Sequence, residues 1–98
     1  MTRGTDNRVA RRPQNPELRR TLLEVVENQL RDGTPPETRA TLERLLADGL
    51  SRGEAVELIA CVVSAEVVEV LRSGRPFQED RYVAGLRALP RLPWDDAG

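Results

Sequence analysis

Between Ser51 and Gly74 the chain holds one long apolar segment with a helix start at one end and a stop at the other. Ser51-Arg52-Gly53-Glu54 has the form of a capping box, in which the Ser and Glu side chains each satisfy a backbone N–H of the first turn. Ser73-Gly74 is the matching stop, since glycine takes up the left-handed conformation that closes a helix. These signals predict a helix of about 21 residues, ending near Arg72. Ala55, Val56, Leu58, Ile59, Ala60, Val62, Val63, Val67, Val68, Val70 and Leu71 cover most of its circumference. A helix that is apolar on nearly all sides is either the centre of a bundle or presents one side to another chain. Its β-branched valines are weak helix formers, and a strand over Leu58–Val63 is the alternative. The caps and the length decide for helix.

Three further helices surround this one in the sequence. Asn15 caps a first helix that starts at Pro16, with Glu17 at the positive end of its dipole. Leu18, Leu22, Val25, Val26 and Leu30 form its apolar stripe, and Asp32-Gly33 stops it. Thr34-Pro35-Pro36-Glu37 reads as a second capping box, followed by Leu42, Leu45 and Leu46 facing inward. Asp48-Gly49 closes that helix, and Leu50 is placed for the apolar contact that accompanies such a cap. A short fourth helix carries Tyr82, Val83, Leu86 and Leu89 on one side and ends before Pro90. The expected fold is all-α: a bundle of four helices at about 16–31, 35–47, 52–72 and 79–89, with sequential helices packed as mostly antiparallel neighbours. Residues 1–15 form a polar, Arg-rich arm expected to be disordered, 16–90 the bundle domain, and 91–98 a flexible tail.

Composition narrows the chemistry. With 98 residues the chain makes one domain, and with Phe77, Tyr82 and Trp94 as the only aromatics its core must be aliphatic. Fifteen basic residues, all arginine, face sixteen acidic ones, so no general affinity for nucleic acid or an anionic membrane is expected. The local exception is the arm, where Arg3, Arg8, Arg11 and Arg12 meet only Asp6. No apolar run has the roughly 18 residues of a membrane span, and the N-terminus lacks a signal-peptide core, so a cytoplasmic location is expected. The absence of histidine removes the commonest general base and metal ligand, and leaves Ser and Cys without an imidazole to activate them. Cys61, the only cysteine, sits among apolar residues and reads as a packing residue. No cofactor is expected.

Carboxylates remain. Glu66 falls within the apolar arc of Ala55, Ile59, Val62, Val63 and Val70, where a charge needs a partner. Gln29 falls likewise inside the stripe of the first helix, and the two are candidates for a buried polar pair that fixes helix register. No metal site is expected, because bundle metal centres normally use Glu-x-x-His segments; one would require Glu57, Glu66 and a first-helix glutamate, Glu27, to converge. Glu54 is explained by its capping box and Glu24 by solvation. Trp94, in Leu92-Pro93-Trp94-Asp95-Asp96, either docks on its own bundle or anchors a partner. Arg11 and Arg12 are the arm's candidates for contact with an acidic partner or, weakly, nucleic acid.

The order of short motifs also carries a resemblance. Glu27-Asn28-Gln29-Leu30, Pro35-Pro36-Glu37-Thr38-Arg39, Arg44-Leu45-Leu46, Gly49-Leu50-Ser51, Glu54-Ala55, Ile59-Ala60, Glu66, Arg75-Pro76-Phe77 and Tyr82-Val83 together cover about residues 15–90. In this the chain resembles a family of short bacterial all-helical proteins of unknown function. The third helix of that family opens with His-Glu-Ala-x-His; this chain has Gly53-Glu54-Ala55-Val56-Glu57, with both histidines replaced. No metal or acid–base role of such a pair carries over in that form. The resemblance implies a helical fold and singles out Gln29 and Glu66, and it implies no function. The reading that follows is a non-enzymatic interaction module with a protein partner or a second copy of itself, the surplus of Leu and Val making a homodimer through the first or third helix the expected form. The alternatives are a divergent carboxylate metal bundle and weak nucleic-acid association through the arm.

Overall fold

The computed structural model describes residues 15–95; the Arg-rich arm with Arg11 and Arg12, and the last residues 96–98, lie outside the described residues. The described chain forms four α-helices: α1 (Pro16–Asp32), α2 (Pro36–Ala47), α3 (Arg52–Ser73) and α4 (Glu79–Ala88). Every expected boundary falls within one residue of these. Asn15 Oδ1 accepts from the backbone N–H groups of Glu17 (2.8 Å) and Leu18 (3.1 Å). Ser51 and Glu54 complete the capping box of α3 in both directions. Gly33, Gly49 and Gly74 all have positive φ where their helices stop, the conformation that a Cβ disfavours. After Gly49, the N–H of Leu50 bonds the carbonyl of Leu45 (3.1 Å), and Leu50 packs on the core as the cap signature predicts.

The start of α2 departs from its expected capping box. Pro35 occupies the cap position, with no side-chain cap bond, and Pro36 is the first helical residue. Thr34 is thereby pushed one residue outside the helix, where its hydroxyl reaches only the carbonyl of Asp32 (3.5 Å). A proline pair supplies the extended-then-helical backbone directly and leaves fewer N–H groups for a box to satisfy. The inward face of α2 is also turned: Thr38, Thr41, Leu42 and Leu45 are buried, and Leu46 is exposed. Residues 38, 41, 42 and 45 follow one helical stripe, and position 46 lies a further 100° round.

α3 is the hub: α1, α2 and α4 all pack on it, while α1 packs also on α2, and α2 on α4. Ala55, Ile59 and Val62 are fully buried at its centre, against Val26 of α1, Leu45 of α2 and Leu86 of α4. α4 runs antiparallel to α3, since Arg81 meets Glu66 and Gly85 meets Val62. The approach at Gly85 is so close that a Cβ there would lie 2.7 Å from Val62 Cγ1. The core continues past the expected domain end at residue 90: Leu92 is buried like Leu89 before it, and Trp94 is half-buried against the same cluster. The described part of the tail therefore lies on the bundle, held locally by the N–H of Leu92 to Asp95 Oδ2 (2.9 Å). Trp94 takes the self-docking alternative.

Two arginines of α2 hold the ends of other helices. Arg44 donates to the carbonyls of Leu86 (3.0 Å) and Leu89 (2.9 Å) at the end of α4, and Arg39 donates to the carbonyl of Leu30 in the last turn of α1. The forked guanidinium suits paired carbonyls at the negative end of a helix dipole.

Gly85→Ala tests the close packing of α3 and α4. Alanine raises helix propensity by about 1 kcal/mol in isolation. Val62 is β-branched and fully buried, so it has no free rotamer to yield. A net destabilisation on the order of 1–2 kcal/mol in urea unfolding is expected; a gain in stability would show that the helices move apart freely.

Candidate functional site

The polar positions singled out in the sequence find partners, though not one another. Gln29 Oε1, on α1, accepts from Tyr82 Oη on α4 (2.7 Å) and from Thr38 Oγ1 on α2 (2.9 Å). Thr38 Oγ1 and Tyr82 Oη also lie 3.3 Å apart. Thr38 and Tyr82 are almost wholly buried, so this cluster ties three helices together inside the bundle. Helices α1 and α4 are not packed on each other, and Tyr82 spans the gap between them. Burial pushes the Tyr82 phenol above its ordinary 10.0, and its hydrogen bonds with Thr38 and Gln29 pull the other way.

Glu66 pairs with Arg81 instead of Gln29. Its Oε1 accepts from Arg81 Nε at 3.1 Å. Glu66 is 7% exposed as a residue, while the Arg81 side chain is half exposed. The correction has a geometric cause: antiparallel α4 delivers Arg81 to Glu66, and Tyr82, the next residue and so about 100° round the helix, points to Gln29 instead. Periodicity on each helix identified both inward polar positions, but the partners come from α2 and α4, whose placement no local pattern encodes. Glu66 and Arg81 line a small cleft with Glu69, Ser73, Arg75 and Gln78.

The remaining carboxylate candidates are also bound to arginines. Glu57 pairs with Arg19, and Glu27 forms a two-pronged pair with Arg52 at 2.8 and 2.9 Å. The hydrogen bond from Arg52 holds the Glu27 carboxyl below its usual range, with the guanidinium charge adding to it and partial burial opposing it. Both members are half exposed, so the pair contributes under about 1 kcal/mol. Glu66 lies at a different place from Glu27 and Glu57, which share a groove with Arg19 and Arg52. The convergence that a carboxylate metal site would require does not occur, and the described residues contain no group of three metal-ligating side chains. Cys61 is buried in the core cluster.

What does stand out is an apolar stripe in water. Val67 and Val68 stand four and three residues before Leu71 on one side of α3, and the three are 45%, 48% and 78% exposed. They follow directly on a helix whose first half is buried on nearly every side. α3 has 22 residues, against 17, 12 and 10 in its neighbours, and its last turns carry this stripe on the side away from α4. Phe77, just past the helix, is also half exposed, with its ring 5.8 Å from that of Tyr82. Leu18 of α1, expected inside the stripe of its helix, is exposed at 48%.

No family model, no curated protein and no solved structure matches this chain. Among the described residues, no helix is long and apolar enough to cross a membrane.

Two measurements test the polar contacts. Tyr82 is the only tyrosine, so tyrosinate absorbance reports it alone. The folded protein should titrate above 10.0 and the urea-unfolded chain near it. Because the folded value is the higher one, this contribution to stability is intact below the unfolded value and is lost as pH rises through the folded one. Tyr82→Phe should cost about 1–2 kcal/mol by stripping a donor from Gln29 and a neighbouring hydroxyl from Thr38. For the ion pair, Arg81→Leu leaves a buried carboxylate without its cation and should cost on the order of 1–3 kcal/mol, whereas Glu66→Leu strands only a half-exposed arginine and should be near neutral. Equal losses from both variants in chemical denaturation would contradict this asymmetry.

Proposed function

We propose that this chain is a non-enzymatic interaction module of the cytoplasm that binds a protein partner through the apolar stripe of α3. The observation that carries the reading is the exposure of Val67, Val68 and Leu71 on one continuous helix face. Single exposed apolar residues are ordinary, but a contiguous apolar patch of several side chains is the usual mark of an interaction surface. The stripe belongs to a rigid element, anchored at its other end by the fully buried Ala55, Ile59 and Val62. A rigid, pre-ordered helix face loses little conformational entropy on binding. Glu27, Glu57 and Glu66, the carboxylates considered for chemistry, are each paired with an arginine.

The test compares the stripe with an exposed leucine elsewhere. Leu71→Glu and Leu46→Glu both change half-exposed or exposed sites and should each alter stability by no more than about 0.5 kcal/mol. Affinity-tagged protein at near-physiological salt should retain a stoichiometric protein, another copy of the chain included. Leu71→Glu should lose it and Leu46→Glu should keep it. Equal retention by all three forms would remove the stripe from consideration.

A further inference from the structure

No further inference is drawn: the strongest candidate, the exposed apolar face that Val67, Val68 and Leu71 form on the last turns of α3, belongs to the surface already described, and nothing in the structure shows what covers it.

Discussion

Burial of α3 is the constraint on which this protein depends. Ala55, Val56 and Ile59 to Val63 are buried along its first half, and three other helices close around it. The hydrophobic effect alone would allow those helices to slide, because Leu, Val and Ala surfaces discriminate poorly between neighbouring registers. Specific groups fix the arrangement. Gly85 lets α4 approach Val62 where no other residue would. Arg39 and Arg44 bind the carbonyl ends of α1 and α4, so that α2, a helix of 12 residues, holds the termini of both.

The Gln29–Thr38–Tyr82 cluster has the same role inside the bundle. Each member comes from a different helix, and a slip of any one would leave a buried hydroxyl or amide without a partner. Buried polar groups penalise the wrong register more than they stabilise the right one. Glu66 and Arg81 extend this to the other side of α4, where consecutive residues Arg81 and Tyr82 engage different helices. In the last turns of α3, Val67, Val68 and Leu71 continue the apolar surface past the reach of its neighbours and stay exposed.

Local physics made the helices legible. Asn15, Ser51 with Glu54, and the glycines at 33, 49 and 74 marked starts and stops because capping is a matter of a few adjacent residues. The one cap misread, at Thr34, failed because two prolines compete for the same position, and which of them becomes the cap depends on backbone geometry. The inward polar positions Gln29 and Glu66 were visible for the same reason that the apolar stripes were: both follow a period of 3.6 residues.

Partnership is a different kind of information. That Gln29 meets Tyr82, that Glu66 meets Arg81, and that an arginine in the last turn of α2 caps α4 all depend on the relative placement of helices apart in the chain. Nothing in the neighbourhood of Arg44 or Tyr82 signals it. The excess of valine and leucine in the third helix was plain from residue types, yet only packing decided which of them would be enclosed and which would face water. By itself the sequence determined the four helices, their limits and the central place of the third, because these follow from capping and periodicity within a few turns. The tertiary structure decided the polar partners and the exposed stripe, because both are set by where one helix ends against another.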